Sequence, residues 1–258
     1  MSKDLQGTGV IVTAGAAGIG AATAKMFLAR GAKVHICDVD EYALAQFLDE
    51  NPGSTGVVAD VSDEQDVDRL FDTADDAIGG LTYIINNAGV AGPTALVHDV
   101  AYSDWQQCLD VNLGGAFLCS RRAIPRLKAS GEGAIINLSS TAGLFGYPRR
   151  SPYSAAKWAI IGFTKTLAME LGPLGIRANC ICPGAVSGPR MDRVIAAEAL
   201  ASGKSEDEIR TAYTECVSLR TFVTADDIAN TIGFLCSDIG SKISGQALPV
   251  DGHSEAVE

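Results

Sequence analysis

The sequence predicts an α/β fold: a doubly wound parallel sheet of seven strands with helices on both faces. Three observations carry the prediction. Short, β-branched apolar runs alternate with longer amphipathic stretches from the first residues to about residue 185, which is the pattern of βαβ units. Each short run is almost continuously apolar, as parallel strands buried on both faces require. No Pro/Ser-rich linker and no internal repeat interrupts the alternation, so the 258 residues are expected to form a single domain, 1–258.

In chain order, the strands are expected at 9–13, 33–37, 56–59, 83–86, 134–138, 178–181 and 246–250. Amphipathic or apolar helical patterns lie between them at 19–29, 64–77, 104–128, 154–171 and 225–237. The stretch 189–219 is helical but polar and supplies no strand, so 187–220 reads as a small helical substrate lid inserted in the domain. Right-handed crossovers place the early loops at the carboxyl edge of the sheet, where ligands bind in folds of this (Rossmann) kind.

Charge and composition exclude several functions. Twenty basic against thirty-one acidic side chains give a net charge of −11. A phosphate backbone needs a basic stripe, and the dense basic pairs here are only Arg121-Arg122 and Arg149-Arg150, so no nucleic-acid partner is expected. No run approaches the ~20 apolar residues that span a bilayer, and Met1-Ser2-Lys3-Asp4 does not open a signal-peptide core. No membrane partner and a cytoplasmic location are expected. Seven cysteines is an odd count, and Cys37, Cys180 and Cys182 lie inside apolar runs, where a thiol acts as a small hydrophobe. No Cys/His set has zinc spacing, so no metal is expected.

The first strand runs into Thr13-Ala14-Gly15-Ala16-Ala17-Gly18-Ile19-Gly20, and an apolar helix follows at once. Glycines at 15, 18 and 20 let a tight turn bring a pyrophosphate against the amides of a helix N-terminus. The second strand ends at Asp38, 18 residues past Gly20, near the ~20 expected of an acid that binds the adenosine ribose hydroxyls. A carboxylate there repels a 2′-phosphate, and no basic residue follows it, so NAD is expected over NADP.

Tyr153 and Lys157 are four apart at the start of an apolar helix, which puts phenol and ammonium on one face. Ser140 ends a strand at the ligand edge of the sheet. Hydride exchange between an alcohol and a nicotinamide needs a group that takes the hydroxyl proton and a donor that polarises the carbonyl. A phenol has a pKa near ~10 and is a poor base at neutral pH, but an adjacent ammonium stabilises its anion. Ser140 can hold the substrate oxygen.

From the cradle at Thr13 through Asn86-Asn87-Ala88-Gly89, Asn112, Ser140 and Tyr153-x-x-x-Lys157 to Pro183-Gly184, the chain resembles the short-chain dehydrogenase/reductase family in its shorter, single-domain form. The resemblance implies that Tyr153 is the general acid/base and that Lys157 lowers its pKa and binds the nicotinamide ribose. It further implies that Ser140 orients substrate and that Asn112 holds a proton-relay water. For the cofactor it implies Gly15, Gly18, Ile19 and Gly20 at the pyrophosphate, and Asp60 and Val61 at the adenine. Asn87 with Ala88 and Gly89 is implied at the ribose, and Pro183, Gly184 and Val186 at the carboxamide. It also implies a homotetramer. The sequence departs from the family pattern twice. Ala14 takes the place of the first glycine, where a methyl fits at negative φ. Gly188 replaces a hydroxyl residue for which Ser187 is the expected substitute.

Arg149 and Arg150 lie within four residues of Tyr153 in an acidic chain, and Arg190 and Arg193 follow in the lid. Arginine suits two-point binding of a carboxylate, sulfonate or phosphate. The expected substrate is a small anionic hydroxy compound, a hydroxy acid or hydroxysulfonate, held by Arg150 with Arg190 or Arg193. The alternative is a neutral polyol, sugar or cyclic alcohol, with the arginines in a solvated loop or an interface. A non-catalytic NAD-sensing protein is a further reading, disfavoured because Asn112, Ser140, Tyr153 and Lys157 are all present. His98 is given no role. Trp105 and Trp158 are expected in the core or an interface.

Overall fold

The structure, a computed structural model, describes residues 5–254; the four residues at each end that the single-domain reading includes lie outside these. Its centre is a seven-stranded parallel sheet in the order β3-β2-β1-β4-β5-β6-β7. The strands are β1 (Gly9–Thr13), β2 (Lys33–Asp38), β3 (Ser54–Val58), β4 (Tyr83–Asn86), β5 (Gly133–Leu138), β6 (Ile176–Pro183) and β7 (Ala247–Val250). All seven expected strands form, the third and sixth beginning two residues early. The order reverses between β1 and β4, whose carboxyl ends therefore flank a crevice.

Alternation along the strands feeds two separate cores. Val10, Val12, Ile36, Ile85 and Ile136 face one side, against Phe27 of α1 (Gly18–Ala29), Phe47 of α2 (Glu41–Glu50) and Ile232 of α9 (Ala225–Cys236). Ile11, Cys37, Ile84 and Ile135 face the other. There they meet Leu70 and Phe71 of α3 (Glu64–Ile78), Ala123 and Leu127 of α5 (Gly115–Ser130) and Leu167 of α6 (Ser151–Leu171). Both faces are covered, which is why the strands read as unbroken apolar runs.

Helix α2 is absent from the sequence expectations. It buries little besides Leu44 and Phe47, and its start is fixed by Asp40, whose carboxylate accepts the Ala43 N–H. The helix expected over 104–128 is broken in two. α4 (Tyr102–Leu109) passes through a wider π-turn at Asp110–Gly114 into α5, and the Gly115 N–H reaches back to the Asp110 carbonyl. Gly115 abuts Val61 so closely that a Cβ would lie 2.5 Å from a Val61 methyl. The polar stretch after β6 becomes α7 (Pro189–Ser202) and α8 (Glu206–Glu215), packed on each other through Met191, Ile195, Ala199 and Ile209. Trp158 is 52 % exposed on α6 and so is not in this chain's core, and Trp105 is half-buried.

A chain of buried amides crosses the middle of the sheet. Asn86 on β4 donates to Ser120 of α5 at 3.0 Å and to Asn137 of β5 at 2.8 Å, and Asn137 donates to Thr164 of α6 at 2.9 Å. These bonds fix helices on the sheet face that carries the site, and each lost partner would strand a buried polar group.

His35 on β2 is 2 % exposed and held between the hydroxyls of Thr55 (2.8 Å) and Thr73 (3.1 Å). Burial lowers its pKa from 6.5 to about 4. The unfolded chain therefore binds a proton first on acidification, so this contribution to stability is intact above pH 6.5 and is lost as pH falls toward 4. We expect the stability advantage of the parent over His35→Gln to shrink by about 3 kcal/mol between pH 7 and pH 4 in urea denaturation. A constant difference would contradict the buried neutral imidazole.

Candidate active site

The glycine-rich turn between β1 and α1 is shaped from within. Gly20 admits no side chain, because a Cβ would lie 2.0 Å from the Ala14 carbonyl oxygen, and at Gly15 one would lie 2.6 Å from Ile36. The N-cap of α1 is Ala17, whose methyl cannot accept a hydrogen bond, so the first amides of the helix are left for an anion. Ile19, next to Gly18 in the first turn, packs on the apolar core below. These are the features that a dinucleotide pyrophosphate fits.

Ala14 departs from expectation: its φ is +49° rather than negative. The turn needs a left-handed residue here, because the Ala14 carbonyl accepts the Asn87 amide at 3.0 Å while the next N–H, of Gly15, reaches Cys37 O at 2.9 Å. An alanine in that region costs about 1–2 kcal/mol.

Asp38 closes the cradle from the side. Its Oδ2 accepts the Ala16 N–H at 3.1 Å and its Oδ1 the Asp40 N–H at 3.2 Å, so the carboxylate is fixed at the mouth of the crevice. Asp60 follows β3, where the Ser62 backbone and hydroxyl both bond its Oδ1, and Val61 is buried beside Ala59 and Val67. Asn87, expected at the ribose, commits its amide nitrogen to the carbonyls of Thr13 and Ala14, both at 3.0 Å. Thr13 turns its hydroxyl to the N–H groups of Asn87 and Ala88. This brace between the two strand ends at the switch point was not singled out in the sequence, where Thr13 reads as an ordinary strand terminus.

On the other wall, β6 ends at Pro183, and Gly184 packs where a Cβ would lie 2.7 Å from that of Asp251. A short bridge pairs Val186 with Val223. Its hydrogen bonds run through Ala185 and Ser187, which keeps the Val186 N–H out of that ladder. The Ser187 hydroxyl faces the Val223 carbonyl at 3.3 Å, so it is turned onto the protein.

Tyr153 and Lys157 share one face of α6, as their spacing requires. Lys157 is 3 % exposed and donates to the Leu138 carbonyl at 2.8 Å. The Ser139 hydroxyl donates to the Lys157 carbonyl at 2.8 Å, and Gly143 lies so near that carbonyl that a Cβ would approach it to 2.7 Å. The helix is thus pressed onto the end of β5, which brings Ser140, whose hydroxyl accepts the Ala142 N–H at 3.2 Å, to the Tyr153 phenol. Burial alone would raise the pKa of Tyr153. The charges of Lys157 and Arg190, the Ser140 hydroxyl and the charge of Arg150 together outweigh it and hold the phenol below its usual value. Lys157 is lowered too, by burial first, with Tyr153 opposing the shift and Arg190 adding to it.

Asn112 sits in the π-turn, 1 % exposed, with its amide nitrogen on the carbonyls of Val90 (3.0 Å) and Cys108 (2.8 Å). Its Oδ1 is buried with no protein partner. That oxygen and the Lys157 ammonium converge on Gly89, where a Cβ would lie 2.6 Å from one and 3.3 Å from the other.

The arginines separate. Arg150, at the start of α6, is 3 % exposed. Its guanidinium donates to Ala91 O at 3.0 Å and to Thr94 Oγ1 at 3.4 Å, and lies 5.6 Å from the Tyr153 ring centroid. Its Nε has no partner, and no carboxylate pairs with it among the described residues. Arg190, exposed on the first turn of α7, donates to Gly89 O at 3.1 Å. Arg193 is exposed on α7, and Arg149 is turned to the Ala201 carbonyl. His98 is exposed next to Asp99.

Comparison with known proteins agrees with this geometry. A family model described as enoyl-(acyl carrier protein) reductase matches residues 14–252. The 2-(S)-hydroxypropyl-CoM dehydrogenase 3 of Xanthobacter autotrophicus is 34 % identical over all of both chains. The chain belongs to the short-chain dehydrogenase/reductase family. It is an oxidoreductase by that membership. Another relative, the cis-4-hydroxycyclohexanecarboxylate dehydrogenase of Sinomonas cyclohexanicum, is 36 % identical over 96 % of each chain. The crystal structure of an NAD+-bound xylitol dehydrogenase superposes with a TM-score of 0.92 at 28 % identity, covering 96 % of this chain and 99 % of that one. Among the described residues, no helix is long and apolar enough to cross a membrane.

The strain at residue 14 gives a direct check of the cradle. Ala14→Gly is expected to raise unfolding stability by up to about 1 kcal/mol in urea, the relief of φ exceeding the extra freedom of the unfolded glycine. A loss of stability would mean that the turn is not left-handed there.

Proposed function

We propose that this short-chain dehydrogenase uses NAD to interconvert a secondary alcohol and a ketone, with Tyr153 as general acid/base. The observation that carries the reading is the Tyr153 phenol set beside the buried Lys157 ammonium, 5.5 Å from its ring centroid, and beside Ser140, at the crevice where the sheet order reverses; the ammonium favours the phenolate. NAD, when bound, accepts the hydride from the alcohol carbon or returns it to the ketone. Asp38 at the cradle mouth favours ribose hydroxyls over a 2′-phosphate, in keeping with the NAD+ of the xylitol dehydrogenase structure. The amides of α1 would hold the pyrophosphate and the Val186 N–H the carboxamide.

In the oxidation direction, Tyr153 as phenolate takes the hydroxyl proton while Ser140 holds the same oxygen by donating to it. Lys157 keeps the phenolate stable. The proton then leaves Tyr153 by way of the Lys157 side and a water held by the unpartnered Asn112 Oδ1. In the reverse direction, the same phenol returns the proton to the carbonyl oxygen.

The substrate is a small anionic hydroxy compound, a hydroxy acid or hydroxysulfonate. Arg150 supports this reading: a buried guanidinium with no counter-charge, in a chain of net charge −11, is stabilised by an anion beside Tyr153. Arg190 adds a second cation from across the cleft. The Sinomonas relative is named for a hydroxy carboxylate. A neutral polyol is the second reading, favoured by the xylitol dehydrogenase neighbour. The pair α7–α8 acts as the substrate lid of one catalytic domain. The exposed Phe117 and Trp158 on α5 and α6 fit helix faces that pair between subunits of a homotetramer.

A panel of hydroxy carboxylates, hydroxysulfonates and matched neutral alcohols, assayed with NAD by absorbance of the reduced cofactor, tests the reading. Turnover is expected with the anionic members favoured, lost about 10²–10⁴-fold in Tyr153→Phe. Arg150→Ala is expected to raise KM for the best anionic substrate about tenfold or more. Parent-level turnover by Tyr153→Phe overturns the acid/base role, and an unchanged KM in Arg150→Ala overturns the anion.

A further inference from the structure

The lid is tied to the catalytic loop through three side chains that the proposed chemistry does not use. The Glu198 carboxylate of α7 faces the Tyr147 hydroxyl at 2.9 Å and the Tyr213 hydroxyl of α8 at 2.8 Å, and the two phenol oxygens are also in contact, so two hydroxyl protons are shared among the three groups. Burial, with the negative charge of Glu198 adding, holds both phenols well above their usual pKa, so both stay protonated and the hub keeps its two hydroxyl protons. One carboxylate therefore joins both lid helices to the loop six residues before Tyr153.

The lid helices form one body, so a tie at one point acts on the whole. They share the cluster of Met191, Ile195, Ala199 and Ile209, with Tyr213 and Phe222 against it, and Arg210 of α8 pairs with Asp192 of α7 at 2.7 Å. Opposite the lid, the Tyr147 ring stacks on Arg150, whose guanidinium lies 5.5 Å from its centroid and 5.6 Å from that of Tyr153. The sequence of contacts runs from Glu198 through Tyr147 and Arg150 to Tyr153.

We propose that Glu198, Tyr147 and Tyr213 are positioning residues that latch α7–α8 shut over the catalytic loop and so hold substrate against Tyr153. The latch rests on the function proposed above only in the substrate it retains; the closure itself is a property of the fold. Latch loss acts on substrate binding, because the hydroxyls touch none of the reacting atoms. Tyr147→Phe keeps the ring on Arg150 and removes only the hydroxyl, and Tyr213→Phe breaks the same hub from the other helix.

Hydrogen exchange by mass spectrometry on the full chain with NAD compares the parent with Tyr147→Phe, Tyr213→Phe and Glu198→Gln. Amides in 191–215 are expected to exchange about tenfold faster in each variant, and those of the sheet at the parent rate. With the best substrate of the panel, KM is expected to rise about five- to tenfold in Tyr147→Phe while kcat stays within about twofold, a split that general destabilisation would not give. Unchanged exchange in 191–215 overturns the latch. Faster exchange with KM unchanged overturns its hold on substrate. If the parent turns over no alcohol, the proposed function fails, and the exchange comparison still decides the latch.

Discussion

The pairing of a phenol with a buried ammonium one helical turn away is the constraint on which the rest of this structure depends. Lys157 can stay charged in a nearly water-free position only because it has somewhere to donate, at the Leu138 carbonyl, and an incipient anion beside it at Tyr153. That arrangement demands that α6 be pressed against the end of β5. The sequence meets the demand with small groups at the contact, Gly143 against the Lys157 carbonyl and Ser139 bonded to it. Packing, charge and reactivity meet in a few residues of α6 and the loop beneath it.

Around this pair, the chain gathers cations against its own net charge. Lys157, Arg150 and Arg190 all bear on the Tyr153 phenol, in a protein with eleven more acids than bases. Arginines elsewhere, such as Arg122 and Arg126, are paired with aspartates, whereas no carboxylate pairs with Arg150 or Arg190 among the described residues. An unpaired positive site stabilises a phenolate and an anionic ligand alike. The opposite end of the crevice is arranged differently: a strained turn, uncapped helix amides and the fixed Asp38 carboxylate suit a pyrophosphate and a ribose.

Much of this was legible in the sequence, for identifiable reasons. Strands buried on both faces leave continuous apolar runs, so all seven could be placed to within a few residues. Tyr153, Lys157 and Ser140 could be brought together because helix periodicity and the carboxyl edge of the sheet are local and topological rules. Helix α2 was missed because it is mostly solvated and is started by a cap rather than by a periodic apolar face. The π-turn at Asp110–Gly114 was missed because the helical pattern runs through 104–128 without a break that marks it, while the close approach of Gly115 to Val61 beside it joins residues far apart in the chain. The sign of φ at Ala14 is set by Asn87 and Cys37, and the burial of Arg150 by the loop at Ala91–Thr94, so neither could be read from neighbours in sequence. The tie among Tyr147, Glu198 and Tyr213 depends on the fold in the same way.

The proposed chemistry depends on the ionisation of one side chain, Tyr153, which is directly measurable. Tyrosine labelled with carbon-13 at the ring carbon bearing the hydroxyl, with Tyr153 assigned through Tyr153→Phe, reports the phenolate by its chemical shift as pH is raised. The Tyr153 resonance should titrate below the ordinary phenol value of 10.0 in the parent, and move upward when Lys157 is replaced by methionine. A midpoint at or above 10.0 in the parent, or one indifferent to the loss of Lys157, would contradict it.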